Sequence, residues 1–166
     1  MTLGNRGTLP TRSLPRLFWP GVGVAALLAI GAGWLLAGQA PRHPAITVYK
    51  SPSCECCTGW VEHMRRNGFV VTVETRNDMN TVKKTFGIPD GLASCHTGTT
   101  GDYVVEGHVP AEDVHRLLRE RPAVRGIALP GMPIGSPGME IPGEKPERYE
   151  VLTFDQGGVT RVFANH

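Results

Sequence analysis

Four cysteines carry the chemistry this chain is equipped for. Three are packed into Cys54-Glu55-Cys56-Cys57, and the fourth, Cys95, stands far along the chain next to His96. Cys54 and Cys57 form a C-x-x-C at a predicted strand-to-helix junction. A helix start offers free N–H groups and the positive end of the dipole, and both stabilise a thiolate. Such a thiolate serves either disulfide exchange or metal binding. Two purely structural disulfides fit the spacing badly, because bridging the neighbours Cys56 and Cys57 would strain the backbone. Three features favour metal. Cys56 places a third sulfur inside the motif, where it would scramble a simple redox pair. Cys95-His96 adds a thiol and an imidazole. A later loop adds two thioethers, in Pro130-Gly131-Met132-Pro133 and Ser136-Pro137-Gly138-Met139. Thiolate, imidazole and thioether are soft donors, and soft donors select Cu(I) over hard cations. Because thiolates bridge, one pocket of this kind can hold more than one Cu(I). The predicted metal set is therefore Cys54, Cys56, Cys57, Cys95, His96, Met132 and Met139. No catalytic residue is expected beyond the rival reading. That rival is a thiol–disulfide oxidoreductase with Cys54 attacking and Cys57 resolving. A third reading is a zinc-stabilised or interaction module without catalysis.

Each of these residues also has a plainer reading. A methionine in a Pro/Gly loop commonly packs, so Met132 and Met139 compete with that role. Met64 and Trp60 lie on a helix stripe and read as core. His63 and His115 read as surface residues, and His108, just after a strand, is left open.

The elements that must hold these side chains follow from pattern. Ile46 to Tyr49 reads as a strand, and Cys57, Trp60, Val61 and Met64 fall on one helical stripe that Asn67-Gly68 ends. Phe69 to Val73 reads as a second strand. Asp78 caps a helix over Met79 to Phe86, closed by Gly87 and Pro89. Asp90 to Asp102 reads as a loop, Tyr103 to Val109 as a strand, and Pro110 opens a third helix that runs toward Pro122. Residues 126–146, rich in glycine and proline, read as loop without a regular element. A hairpin from Tyr149 to Phe163, turning at Asp155 to Gly158, closes the chain. This order describes a small α/β domain, with the layout of thioredoxin-like domains at its first strand and cysteine helix.

The charge is segregated. The formal net charge of +2 includes Arg6, Arg12 and Arg16, the only charged side chains before Arg42. Residues 41–166 hold 14 basic side chains against 15 acidic ones. That balance disfavours a nucleic-acid-binding domain, which needs clustered basic residues on a folded surface. From Leu17 to Ala40 the chain carries no charge, and Gly38 and Ala40 end the run. Basic start, apolar middle and small-residue exit make an export signal cleaved after Ala40. An uncleaved anchor over residues 17–37 is the alternative, with its arginines in the cytoplasm. Either way residues 41–166 lie outside the cytoplasm. The expected organisation is a signal or anchor over 1–40, a short linker over 41–45, and the metal-binding domain over 46–166.

Four motifs in order then resemble a known family. They are Ser51-Pro52-Ser53-Cys54-Glu55-Cys56-Cys57-Thr58-Gly59-Trp60, Ser94-Cys95-His96-Thr97, Val105-Glu106-Gly107-His108-Val109-Pro110, and Leu129-Pro130-Gly131-Met132-Pro133 through Ser136-Pro137-Gly138-Met139-Glu140. The chain from Ile46 onward resembles the periplasmic copper-resistance proteins called CopG. The resemblance implies a thioredoxin-like fold, copper bound through the cysteines, and copper handling in the cell envelope beside other periplasmic copper-handling proteins. Cys54, Cys57 and Cys95 are the first ligands it implies. In thioredoxin-like folds the start of the strand after the second helix lies against the C-x-x-C, and Ser94-Cys95 takes that place here, which sets Cys95 beside Cys54. His96 would point away from Cys95 on a regular strand, and joins the site only where the backbone is irregular.

Overall fold

The computed structural model describes residues 43–166. The signal or anchor helix, the cleavage point at Ala40 and the start of the linker lie outside the described residues. Among the described residues, no helix is long and apolar enough to cross a membrane.

The described residues form a mixed α/β domain with one seven-stranded sheet and three α-helices. The strands are β1 (Ala45–Lys50), β2 (Val70–Thr75), β3 (Thr97–Thr100), β4 (Tyr103–Glu106), β5 (Gly126–Ala128), β6 (Glu150–Phe154) and β7 (Thr160–Asn165). The helices are α1 (Glu55–Arg66), α2 (Met79–Phe86) and α3 (Ala111–Glu120), with a single 3₁₀ turn at Asp90–Leu92. Across the sheet the strands run β2-β1-β3-β4-β5-β6-β7. The β1–β2 and β4–β5 pairs are parallel, and the others are antiparallel.

Both faces of the central strands are covered. Val105, Ile46 and Val48 pack against Trp60, Val61 and Met64 of α1 and against Val114 and Leu117 of α3. On the opposite face Val104 and Ala128 pack with Ile88, Leu92 and Phe154. Alternation along β4 explains this split, since Val104 and Val105 must point to opposite sides. A strand covered on both faces has no polar face, and every residue of β4 is buried. Local chemistry sets the helix ends. Asp78 accepts the Thr81 N–H at 3.0 Å, a side-chain cap that satisfies one of the free donors at the start of α2. Gly87 closes α2 in the left-handed conformation at φ 72°.

Three expectations need correcting. Asp90 to Asp102 is not all loop, because Thr97–Thr100 forms β3 between β1 and β4. Its sequence, Thr-Gly-Thr-Thr, carries turn-like composition, and it becomes a strand through partners distant in sequence. Residues 126–146 likewise contain β5. A Cβ at Gly126 would sit 2.0 Å from the Val104 carbonyl oxygen. The glycine read as a loop marker is the residue that lets β5 approach β4. The strand expected over Tyr103 to Val109 stops at Glu106, because Gly107 turns the chain at φ 76°. The C-terminal hairpin of β6 and β7 is present as expected.

Candidate metal centre

The cysteine motif sits where β1 hands the chain to α1. Cys54 is the N-cap residue, with no side-chain capping bond, and Cys56 and Cys57 occupy the first turn. The unpaired first N–H groups of α1 thus lie at the same helix start as the sulfurs. Cys54 and Cys57 are joined as a disulfide, while Cys56 and Cys95 are free thiols. Cys56 Sγ lies 3.5 Å from Cys54 Sγ and 4.0 Å from Cys95 Sγ. All four sulfurs fall within 4.8 Å of one another. Cys95 lies beside the C-x-x-C, but it does so from the turn before β3 and not from the start of the strand, and Cys56 lies in the same cluster.

Cys95 also anchors a second group of donors. His96 Nδ1 lies 3.5 Å from its sulfur and His108 Nε2 lies 2.9 Å away. The three ligand atoms of Cys95, His96 and His108 are again mutually within 4.8 Å. His96 reaches the site because the chain bends at Cys95 and becomes regular strand only at Thr97. His108, left open from sequence, arrives because Gly107 ends β4 and swings the next residue inward. Val-Glu-Gly-His holds the signal that marks it: a glycine after a strand, followed directly by an imidazole.

The hydrogen bonds define the imidazole at 108. Its Nδ1 lies 2.8 Å from the Pro137 carbonyl oxygen, which can only accept. Nδ1 therefore carries the proton, and the Nε2 lone pair faces Cys95. Burial pushes the His108 pKa down, opposed by the bond to Pro137. Burial also holds His96 well below the ordinary imidazole range, helped by His108 and Lys83. Both rings are thus neutral at pH 7, the form that ligates metal. His96 Nε2 is buried without a hydrogen-bond partner. Trp60 closes the site from below, its ring 4.4 Å from His96 and its N–H donated to the Val109 carbonyl at 2.8 Å. The Cys95 thiol is pushed up to about 11, first by burial and then by Cys56. A metal entering here must displace that proton.

The Pro/Gly loop wraps the cluster from two sides. Ser94 donates its hydroxyl to the Gly131 carbonyl at 2.8 Å, which fixes the loop beside Cys95. At the other side Gly138 rests on the first turn of α1. A Cβ there would meet Trp60 N at 2.6 Å and the Cys56 carbonyl oxygen at 2.7 Å, and φ is +83°. Only glycine allows this approach. Met139 follows directly and is half-buried, whereas Met132 is 51% exposed.

Two other histidines differ from expectation. His63 is half-buried, and its Nε2 accepts the Ala111 N–H at 3.0 Å, so it caps α3. His115 packs on Phe69, with ring centroids 4.4 Å apart. Trp60 and Met64 are core residues as expected.

A family model described as a protein of unknown function, DUF411, matches residues 92–139, the stretch holding Cys95, His96, His108 and the wrapping loop. No curated protein sequence matches the chain. Among solved structures, two forms of a copper resistance protein CopG align at 44% identity with a TM-score of 0.70. Each alignment covers 74% of this chain and 98% of the other. The chain belongs to the CopG family. The CopG alignment spans nearly the whole of that structure. Together with the cysteine cluster, membership in the CopG family supports a copper-related role for the site.

Proposed function

We propose that this chain is an exported Cu(I)-binding protein on a thioredoxin-like scaffold, serving copper tolerance in the cell envelope by sequestration or relay. The observation that carries the reading is the convergence of four sulfurs within 4.8 Å, with two imidazole nitrogens adjoining Cys95. Three or more thiolates at that spacing can bridge, so the pocket suits more than one Cu(I). The neutral rings of His96 and His108 add borderline donors. Met139, next to the glycine seated on α1, is better placed than exposed Met132 to contribute a thioether. The apolar run before residue 41 supports export through a signal or an anchor in its own right.

With Cys54 and Cys57 as a disulfide, two of the four donors are withdrawn, so full loading requires the reduced protein. The decisive experiment reduces the whole chain anaerobically, titrates Cu(I) against a chromophoric chelator and counts bound copper. Cys95→Ser, which removes the sulfur common to both donor groups, is expected to weaken binding sharply. Affinity no better than that of a simple dithiol peptide would remove the copper reading. Met132→Leu and Met139→Leu test the loop, and unchanged affinity in both assigns the two thioethers to packing.

The Cys54–Cys57 disulfide itself favours a second reading, thiol–disulfide exchange, with half-exposed Cys54 attacking and fully buried Cys57 resolving. Rapid insulin-disulfide reduction that survives Cys95→Ser would support it.

A further inference from the structure

Beneath the Cys95 turn lies a buried ion pair that the copper reading does not use. Glu106 has a fully buried side chain, and it forms an ion pair with Lys83 of α2 at 2.5 Å. Its Oε1 also accepts the Ser94 N–H at 2.7 Å. Its Oε2 accepts the Thr97 hydroxyl at 2.6 Å. Lys83 donates a further bond to Thr97 Oγ1 at 3.3 Å. Ser94 and Thr97 are the residues immediately before and after Cys95-His96. Glu106 itself stands two residues before His108, and the Gly107 N–H between them is donated to the His96 carbonyl at 3.0 Å. One carboxylate therefore clamps both ends of the segment carrying Cys95 and His96 and ties them to the strand that delivers His108.

Stability alone gives little reason for a charge in this place. Glu106 lies on the same side of β4 as Val104, facing an apolar cluster of Ile88, Leu92 and Phe154. Desolvating two charges is costly, and a well-packed apolar pair commonly serves at least as well. An apolar side chain could not, however, accept the Ser94 N–H. We propose that Glu106 is a positioning residue for the copper site, holding Cys95 and His96 in register with His108, with Lys83 as the counter-ion that makes a buried carboxylate tolerable. The proposal rests on the copper-binding reading of the cluster.

Two variants of the full chain separate positioning from simple stability. Glu106→Gln keeps an acceptor for the Ser94 N–H but leaves the Lys83 charge unpaired. It is expected to lower the Tm while keeping Cu(I) affinity within a few-fold of the parent. The double variant Lys83→Met/Glu106→Leu removes both charges and keeps the volume. It is expected to hold a near-parental Tm yet bind Cu(I) about 10–100-fold more weakly, the range typical of lost outer-shell support. Should Glu106→Gln fail to fold, the double variant carries the test. A second readout uses metal-free reduced protein: amide exchange at Ser94 and the alkylation rate of Cys95 should both rise in the double variant. A double variant with parental Tm, parental Cu(I) affinity and unchanged Ser94 exchange would overturn the proposal. If the parent chain binds no Cu(I), the copper reading fails, and Ser94 exchange with Cys95 alkylation still decides the positioning role.

Discussion

His108 Nε2 lies 2.9 Å from Cys95 Sγ, and the same ring is held at its far nitrogen by the Pro137 carbonyl. The wrapping loop thus orients an imidazole from the turn after β4 onto a cysteine from a third segment. The pair links every part of the candidate centre except α1. Removing the ring with His108→Ala should weaken Cu(I) binding about tenfold or more. Chelator competition on the reduced protein measures this, and parental affinity would exclude His108 from the site.

The Cys54–Cys57 disulfide competes with metal for the same sulfurs. Protein oxidised at this pair and handled without reductant is expected to take up less Cu(I) per chain than reduced protein. Metal analysis after anaerobic desalting measures the difference. Equal loading in both forms would show that Cys54 and Cys57 are not needed as ligands.

Gly138→Ala puts a methyl group against the backbone of Trp60 and Cys56, in a left-handed conformation that L side chains avoid. Strain of this kind costs about 1–3 kcal/mol. The urea midpoint should fall accordingly, and Cu(I) affinity with it if the loop belongs to the site. A fall in stability without any change in affinity would detach the loop from metal binding.

The histidines predict a pH dependence for the metal-free fold. Burial, the leading cause in each case, holds His63, His96 and His108 below their ordinary value of 6.5. The unfolded chain then binds more protons than the folded one as pH drops below 6.5. The contribution of the neutral rings is present above that value and is lost as pH falls toward the folded-state pKa values. Reduced metal-free protein should therefore lose Tm between pH 6.5 and 5. His96→Phe should flatten that slope. At pH 7 stability should change little, since losing the Nδ1 contact to Cys95 is offset by removing Nε2, a buried nitrogen without a partner whose burial costs about 1–3 kcal/mol. A parental slope in the variant would contradict this account.

Local chemistry was legible in the chain wherever a few neighbouring residues decide the outcome. The α2 limits follow from Asp78 and Gly87, and the buried stripe of α1 from its 3.6-residue spacing. The C-x-x-C at a helix start and the soft-donor composition are local in the same sense, and so is the segregation of charge ahead of residue 41. Strands β3 and β5 were not legible, because Thr97–Thr100 and Gly126–Ala128 are strands only by virtue of what pairs with them. The metal centre divides in the same way. Cys54, Cys56 and Cys57 share one helical turn, so their proximity is a property of spacing. Cys95, His96, His108 and the Pro137 carbonyl meet through a bend, a glycine turn and a loop laid over α1, and of these only the turn at Gly107 leaves a local mark in the sequence. Glu106 is the clearest case. In sequence it is one acid at the end of an apolar strand, and its bonds to Lys83, Ser94 and Thr97 come from folding three segments onto one buried carboxylate.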